Sequence, residues 1–556
     1  MKEPQAGSDG LRLSRRRSVI ATSSMALLAM VLPRHGLADA LSPSAPGKSS
    51  PGDLDQPSPS AVPTTEVAHY VATLTLGSTV YTFESRSAVD QGNYVGQFVQ
   101  QKSLMASLAG CPFTVFFRPD LNGKRDEVVV ELGKIWSWSS RPTHIMTPYT
   151  LRVTKNNALL FTQTVPYHWW WSRWRWQSAP RPVVATASEL IASKKLLPHS
   201  TRWLYGWKKW TTDVRFVGPM DTAGLQTAIG TAGDRPEIGA VTLPQADYIV
   251  NGTPRAWSTM IAQAEASATM PIHVRDEKTG QWFDNQANPY YSLRPRGGPP
   301  VIPDAPLPPV PPGQISGNNV DTRFMGPEAA HNPPLTYVPY LFTDDPYYLE
   351  ELQAMALWHI VLSSYHSWKE KLPGLAYPGE TRATAWGLRS VAQAALVTPA
   401  NTPSWINTQA HWKKNLADNR VYLQRFMDSP AMIHKFFRAY SRADLLGSFQ
   451  EDYLMTVLAW IVRMGFTEWA DGYAWAMGAV MPLVTDASGW LKGWPNPYYF
   501  TGFIRDIGGA RTRIDDTSQD KNTYLDWAAA FQRYVTDKGH TNDPTLQAYP
   551  PRWDGI

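Results

Sequence analysis

The pattern of hydrophobic and polar positions changes once along the chain, near residue 180. Between residues 65 and 166, apolar side chains alternate with polar ones or form short β-branched and aromatic runs, as in TVYTFE and DEVVVEL. Turn signals such as Asn122-Gly123 separate these runs. Beyond residue 180, apolar positions recur every three to four residues, as in helices. The pattern predicts an antiparallel β-sandwich over 65–178, followed by an all-α domain over 179–556.

The α region contains a run of three predicted helices between residues 331 and 397. Thr343-Asp344-Asp345-Pro346 predicts a helix end followed at once by a helix start, because either Asp can be an N-cap and Pro suits the first helical position. Helix, tight turn, helix is the repeating unit of an all-α toroid, so we expect an (α/α)6-like toroid with a Pro-rich loop at 292–313. The predicted helices are 184–196, 221–229, 242–250, 254–268, 333–342, 346–370, 380–397, 404–427, 449–465, 467–484 and 519–537.

Residues 1–40 have the features of a twin-arginine signal peptide. Arg16-Arg17 precede an apolar run, and Ala38-Asp39-Ala40 is a small-x-small cleavage site. The alternative is a membrane anchor, but the run is shorter than the ~20 residues that a spanning helix needs. With one cysteine, Cys111, no intramolecular disulfide can form. We expect export by the twin-arginine translocase, a periplasmic or secreted location, no membrane association after cleavage, and a disordered Pro/Ser-rich linker at 41–64.

Composition narrows the possible ligands. The formal net charge is +5, partly from the N-terminal arginines, and no other long basic run occurs, so nucleic acid is not an expected partner. The chain has 24 Trp and 24 Tyr. These belong either to a large core or to a surface that stacks against sugars. Five Trp between residues 169 and 176 form either the joint between the two domains, which we favour, or one side of a sugar-binding groove.

The order of domains and three local motifs carry a resemblance. The motifs are His331 with the following Pro-Pro-Leu, Arg382-x-x-x-Trp386-x-x-Arg389, and Gln450-Glu451-Asp452-Tyr453. A β-rich domain joined to helical hairpins resembles the (α/α) toroid superfamily of carbohydrate-active enzymes, which includes six-hairpin glycosidases and toroidal polysaccharide lyases. The resemblance covers about 180–550 and is one of architecture, because no single family signature is matched. It implies an enzyme that cleaves a polysaccharide in a cleft of the toroid.

Two chemistries are open for such a cleft. Glycoside hydrolysis needs two carboxylates facing each other across the scissile bond. Glu451 and Asp452 begin a predicted helix, where they are either stabilising helix-start charges or supply one half of such a pair. The candidate partners on another hairpin are Asp344, Asp345, Glu380 and Asp276. A β-elimination lyase would instead use a base and an acid, for which His331 and either Tyr337 or Tyr340 are candidates. The catalytic candidates are therefore Glu451, Asp452, Asp344 and His331.

Candidate substrate-binding residues are of two kinds. Arg382, Trp386 and Arg389 share a helix face, and either clamp an acidic sugar or form ion pairs. His273, Arg275 and Asp276 belong to a dense ionisable run that is either an active-site edge or a structural ion-pair loop. In an extended segment, His273 and Arg275 share a face and Asp276 points away. Tyr340 completes the binding set. No metal-binding spacing occurs, so we expect no metal site and no cofactor.

These patterns favour an exported enzyme that hydrolyses glycosidic bonds of a polysaccharide or oligosaccharide with paired carboxylates. A polysaccharide lyase acting at a uronate is the first alternative. A non-catalytic polysaccharide-binding or envelope protein is the second. A helical scaffold whose aromatic residues all lie in the core is the third. Paired carboxylates across a cleft would favour the hydrolase, and Arg, His and Tyr with a single carboxylate would favour the lyase.

Overall fold

The computed structural model describes most of the chain between residues 68 and 484. The described ranges are 68–133, 147–199, 212–226, 239–276, 279–289, 325–377, 380–428 and 448–484, with short strands at Leu445–Leu446, Phe500–Thr501, Phe503–Arg505, Arg511–Arg513 and Tyr524–Leu525. The expected signal peptide (1–40), linker (41–64) and Pro-rich loop (292–313) lie outside these ranges. Among the described residues, no helix is long and apolar enough to cross a membrane.

The N-terminal region is built from two antiparallel sheets. One has the order β2-β1-β7-β8, and the other has the order β3-β4-β5-β6-β9. The strands are β1 (Tyr70–Leu76), β2 (Thr79–Glu84), β3 (Val89–Val95), β4 (Gln100–Ser107), β5 (Phe113–Pro119), β6 (Asp126–Leu132), β7 (Tyr149–Lys155), β8 (Ala158–Val165) and β9 (Arg173–Gln177). Alternate residues of facing strands, such as Leu74, Val115 and Val130, fill a shared apolar core. The prediction of a β region that precedes a helical region is therefore confirmed.

The five-stranded sheet is buried on both of its faces. Every residue of β6 is buried, although its sequence, DEVVVEL, alternates acidic and apolar side chains at its ends. Val128 and Val130 point into the sandwich core, whereas Val129 belongs to the core of the helical region. Charged residues on the second face therefore contact the helices instead of water.

The helical region begins after β9. Its helices are α1 (Ala187–Ala192), α2 (Leu243–Asn251), α3 (Pro254–Ser267), α4 (Tyr337–Thr343), α5 (Pro346–Leu362), α6 (Ser364–Glu370), α7 (Thr381–Val397), α8 (Gln409–Asp428), α9 (Ser448–Arg463) and α10 (Ala470–Val484). Consecutive helices pack in pairs, α2 with α3, α7 with α8, and α9 with α10. A 3-10 turn, Ala329–His331, packs against α7.

Helix α5 is the centre of the helical region. All of its residues are buried, and it packs against α7. Its two glutamates, Glu350 and Glu351, accept hydrogen bonds from arginines of the five-stranded sheet. Asp345 is its N-cap, with the side chain accepting a hydrogen bond from Tyr347 N, and Pro346 is its first residue. Asp344 is the C-cap of α4, in the left-handed region. The sequence prediction of an immediate stop and start is confirmed.

The helices predicted at 184–196, 333–342 and 404–427 begin three to five residues later in the structure, and three other predictions differ more. Residues 221–226 form turns, because Ala223 and Gly224 have positive φ and the Asp221 carboxylate accepts hydrogen bonds from nearby backbone amides. The predicted helix 346–370 is interrupted at Ser363, whose hydroxyl donates to the carbonyl of His359. Tyr524–Leu525 is a short strand inside the predicted helix 519–537, paired with Phe503–Arg505. The rest of 519–537 lies outside the described residues.

Candidate active site

A layer of buried ion pairs joins the five-stranded sheet to the helices, and we call it the ionic joint. Arg173 on β9 donates to Glu351 at 2.5 Å and to Glu350 at 2.5 Å. Arg118 on β5 binds Glu350 through two nitrogens, at 2.5 and 3.1 Å. All four side chains are at most 1 % exposed. The joint consists of Arg118, Arg173, Arg175, Arg275 and His273 with Glu127, Glu131, Glu265, Asp345, Glu350 and Glu351.

Two of the predicted substrate-binding residues belong to this joint. The His273 ring lies with Nε2 3.0 Å from both Glu351 oxygens and Nδ1 2.7 Å from the Trp171 carbonyl. Arg275 donates to both oxygens of Glu131, at 2.7 and 2.9 Å. Asp276 points away and accepts from Thr279 N in a turn. The predicted alternation is confirmed, and the ion-pair alternative fits these contacts, because buried and fully partnered groups have no access to a polysaccharide.

The Trp-rich segment also lies where the two regions meet. Trp169 and Trp174 are buried in the sandwich core, whereas Trp171 packs against the helical core. Trp176 stacks on Phe161 with ring centroids 4.4 Å apart. Arg173 and Arg175, between these aromatic residues, point into the ionic joint. The segment thus forms the joint that we favoured.

Asp344 and Tyr340 hold a turn of the sandwich against the helices. One Asp344 oxygen accepts from the amides of Phe98 and Val99, at 2.5 and 3.0 Å, and the other accepts from the Tyr94 hydroxyl at 2.9 Å. The Tyr340 hydroxyl lies 3.0 Å from that of Tyr94. Burial raises the pKa of Asp344, although these hydrogen bonds oppose the change. No described contact joins this pair to the other catalytic candidates.

A second polar cluster forms where the 3-10 turn meets the N-termini of α7 and α9, and we call it the cleft cluster. Glu328 and His331 come from the turn, Glu380 and Arg382 from the start of α7, and Gln450 from the start of α9. His331 Nδ1 hydrogen bonds with Glu328. Gln450 Nε2 donates to Glu380 at 3.0 Å, and Arg382 Nη2 lies 3.5 Å from the same oxygen. The structure thus brings His331 and Arg382 together, as predicted candidates of one site.

The two glutamates of the cleft cluster are in different electrostatic environments. Burial works against ionisation of Glu328, but its hydrogen bond to His331 and the His331 charge hold its pKa below the usual value. Burial raises the pKa of Glu380, with Arg382 opposing and Glu328 adding to the change. Their side chains are 37 % and 16 % exposed, so both reach solvent. The pKa of one carboxyl of the cluster is therefore lowered and that of the other is raised.

Glu451 and Asp452 lie behind this cluster. They are 6 % and 7 % exposed. Burial and the neighbouring Asp452 raise the pKa of Glu451 well above its usual value, with Thr381 of α7 opposing. Burial alone raises the pKa of Asp452 to about 7. Glu451 and Asp452, the candidates for one half of a catalytic pair, therefore lie near the start of α9 but are less accessible to solvent than Glu328 and Glu380.

Trp386 and Arg389 donate hydrogen bonds to backbone carbonyls at the 3-10 turn of the cleft cluster. Trp386 is 1 % exposed, and its indole donates to the Ala330 carbonyl of the 3-10 turn at 3.1 Å. Arg389 lies over the Trp386 ring at 4.6 Å and donates to the carbonyls of Gly239 and Asn332 at 2.6 and 2.9 Å. Burial without a carboxylate lowers the pKa of Arg389 to about 9. Tyr453, which is half-buried, packs on Trp386 with ring centroids 4.8 Å apart.

Sequence reasoning missed Glu328 and undervalued Glu380. Glu328 lies three residues before His331, in Gly326-Pro327-Glu328, and this spacing places both on one side of the 3-10 turn. Glu380 precedes the first residue of α7, a position usually interpreted as a cap. Among the described residues, no group of three His, Cys, Asp or Glu side chains is arranged to hold a metal ion.

The chain matches no protein family, no curated protein and no solved structure in the comparisons. The chemistry of the site therefore rests on its own geometry and charge.

Proposed function

We propose that the chain is an exported carbohydrate-active enzyme that hydrolyses glycosidic bonds at the cleft cluster. The observation that carries the proposal is the pair Glu328 and Glu380, two solvent-accessible carboxyls in one cluster whose pKa values are shifted in opposite directions. Such divergence assigns acid and base roles in sites that need one protonated and one ionised carboxyl. Glycoside hydrolysis is a reaction class that uses such a pair, and it fits the carbohydrate-active enzymes that the domain order resembles.

In this proposal, Glu380 is the general acid. It donates its proton to the oxygen of the departing sugar as the glycosidic bond breaks, because an alkoxide leaves poorly without protonation. Glu328, ionised through its contact with His331, either activates water or attacks the anomeric carbon. Arg382 lies beside Glu380 and adds positive charge that favours ionisation once the proton has been transferred. The Tyr453 ring, half-exposed beside the cluster, supplies a face for a sugar ring.

The lyase alternative has less support. Its expected base, His331, has one ring nitrogen engaged with Glu328, and its expected acid, Tyr340, lies in the separate contact with Tyr94 and Asp344. A lone carboxylate beside Arg, His and Tyr would have favoured elimination. The cleft cluster instead contains two carboxyls, with Glu451 directly behind them.

Two wider elements belong to the same proposal. The paired packing of α2 with α3, α7 with α8 and α9 with α10 is compatible with the hairpins of an (α/α) toroid. Export as a folded protein through the twin-arginine translocase fits Arg16-Arg17 and the single cysteine. Replacing both arginines with lysine should then leave the precursor in the cytoplasm, and a normal periplasmic yield would contradict the export route.

The test is activity of the mature chain on a polysaccharide panel, following reducing-end release and the ultraviolet absorbance of unsaturated uronates in parallel. Reducing ends without that absorbance indicate hydrolysis. Glu380→Gln and Glu328→Gln should each lower the rate by a factor of ~10² to 10⁴. Glu468→Gln, on an exposed turn, is the matched control and should retain activity. Full activity in both cluster variants would overturn the proposal.

A further inference from the structure

Glu380 occupies the N-cap position of α7 without capping the helix. Its backbone is extended, with φ −132° and ψ 140°, and its side chain makes no hydrogen bond to the first turn. An N-cap side chain normally accepts from the amide of the second or third helical residue, because these amides have no partner within the helix. In α7 the second residue is Arg382, and its amide is bonded to a different side chain.

That side chain is Gln450, which comes from the adjacent helix α9. Gln450 Oε1 accepts from Arg382 N at 3.4 Å, and Gln450 Nε2 donates to Glu380 Oε1 at 3.0 Å. The Gln450 residue is 1 % exposed. A single buried amide group therefore satisfies the helix amide with one end and holds the glutamate with the other.

We propose that Gln450 is a positioning residue that caps α7 in place of Glu380 and thereby keeps the Glu380 carboxyl in the cleft. The inference deepens the proposed function, since it rests on Glu380 acting as the acid. Gln450 acts on the reaction only through its contact with Glu380. A free carboxylate at a helix N-terminus is attracted to the unpaired amides and the positive end of the helix dipole. Gln450 weakens that attraction by occupying the Arg382 amide and by holding Glu380 Oε1 with its own N–H.

The charged groups around Glu380 fix the expected pH effects. Arg382 faces it from its own helix, and Glu328 and His331 face it from the 3-10 turn. From α9, Gln450 contributes a neutral donor, while Glu451 is directed at Thr381. Changing Gln450 therefore alters the only α9 contact that the described structure gives Glu380 and leaves the other charges in place.

Two substitutions should move the pH profile in opposite directions. Gln450→Leu leaves the Arg382 amide of α7 uncapped, so Glu380 turns onto it. Glu380 then loses the Gln450 donor, which lowers its pKa in the wild-type chain, but gains a backbone N–H donor and the positive end of the helix dipole. Because the gain outweighs the loss, the basic limb of kcat/KM moves to lower pH and the rate at neutral pH falls about tenfold or more. Gln450→Glu keeps an acceptor for Arg382 N but places a carboxyl against Glu380, so the basic limb moves to higher pH.

Gln353→Leu is the matched control. Gln353 on α5 is also 1 % exposed and bridges two segments, donating to Thr398 and to the Asn407 carbonyl, each at 3.0 Å. Its loss should lower the unfolding temperature to a similar extent without moving the pH profile. A crystal structure of Gln450→Leu supplies a readout independent of activity, with a Glu380 oxygen expected about 3 Å from a first-turn amide of α7.

Failure of this inference is distinguishable from failure of the proposed function. If Glu380→Gln abolishes hydrolysis but both Gln450 variants keep the wild-type pH profile, Gln450 is not a positioning residue. The same conclusion follows if the two variants shift the limb in the same direction, or if Glu380 does not move in the Gln450→Leu structure. If Glu380→Gln retains full activity, the proposed function fails before Gln450 is considered.

Discussion

Arg173 Nη1 on β9 lies 2.5 Å from Glu350 Oε2 on α5, and neither side chain is exposed to solvent. The same arginine also donates to Glu351, so its removal would leave Glu350 with Arg118 and Arg275, and Glu351 with His273 as its remaining cationic partner among the described residues. Removing one member of a buried ion pair leaves an uncompensated charge in a medium that solvates it poorly. This pair is one of the ion pairs that hold the five-stranded sheet against α5.

Arg173→Met should therefore lower the free energy of unfolding by roughly 3–5 kcal/mol. Urea denaturation followed by tryptophan fluorescence measures the change. Arg215→Met is the control, because the Arg215 side chain is 79 % exposed beside Asp213, and its change should stay within about 0.5 kcal/mol. Equal midpoints for the two variants would show that the ionic joint does not stabilise the fold.

Asp344 allows a structural role to be separated from a catalytic one. It has φ 53°, which Asn adopts readily and Ala does not. In Asp344→Asn, the amide oxygen still accepts from Phe98 and Val99, and Tyr94 can rotate its hydroxyl to accept from the amide nitrogen. We expect Asp344→Asn to cost less than about 1 kcal/mol, and Asp344→Ala to cost about 3 kcal/mol through strain and unpaired amides.

The hydrolytic activity of Asp344→Asn distinguishes a catalytic role of Asp344 from a structural one. A catalytic carboxylate would lose its function in Asp344→Asn, whereas a turn-holding residue would not. Hydrolysis assays well below the unfolding temperature should show near wild-type rates for Asp344→Asn. A loss of hydrolysis rate of ~10²-fold or more would show that Asp344 takes part in catalysis, although no described contact joins it to the other catalytic candidates.

Asp452 should make the fold less stable as the pH rises. Its pKa is about 7 in the folded chain, against an ordinary value of 3.8, so folding favours the neutral form. Its contribution to stability is present below the ordinary value and is lost as the pH rises through about 7. At 1.36 kcal/mol for each pKa unit, the loss amounts to roughly 4 kcal/mol.

Asp452→Asn removes this dependence. Thermal unfolding at pH 5 and pH 8 should show a smaller difference for Asp452→Asn than for the wild-type chain, whereas exposed Asp213→Asn should change nothing. Glu451 acts in the same direction, since burial also raises its pKa, so part of the dependence remains in the single variant. An unchanged difference between the two pH values would contradict a neutral, buried Asp452.

Trp386 and Tyr453 should respond differently to substitution, although their rings touch. Trp386 is buried and anchors the Ala330 carbonyl, so Trp386→Ala should cost about 3–5 kcal/mol. Tyr453 is half-buried beside the cleft cluster. Tyr453→Ala should raise KM for the polysaccharide with a smaller loss of stability, because a sugar ring stacks on the tyrosine face only when substrate is bound. Unchanged KM in Tyr453→Ala would remove it as a sugar platform.

The change of hydrophobic period identified the two regions because it reflects local geometry, which sequence spacing reports directly. Asp345 and Pro346 marked the start of α5 for the same reason, since a cap acts on the next few residues. His273 and Arg275 were correctly placed on one face of an extended segment. Their partners, Glu351 and Glu131, are 78 and 144 positions distant along the chain, and no local pattern reports such a pairing.

The charged residues of β6 show why the ionic joint was not predicted. Glu127 and Glu131 lie four residues apart and share one face of β6, and two acidic residues on one face are typical of a strand with that face solvated. The structure buries that face against arginines from β5 and β9 and against the helices. Similarly, Glu380 has the position of a cap, and only the placement of Gln450 on a neighbouring helix shows that its carboxyl is directed elsewhere.

The sandwich thus supplies the counter-ions of the helical region. A chain cut after β9 would remove Arg118, Arg173 and Arg175 from the carboxylates of the helical side. Among the described residues, Arg181 would remain beside Asp345, His273 beside Glu351 and Arg275 beside Glu350. The apolar core of the helical region includes Tyr94, Met105, Phe116 and Val129 from the sandwich strands, and neither region balances its own charge. They should unfold in one transition, and exchange of the sandwich for another of the same shape should succeed only where the arginines of β5 and β9 are exchanged with it.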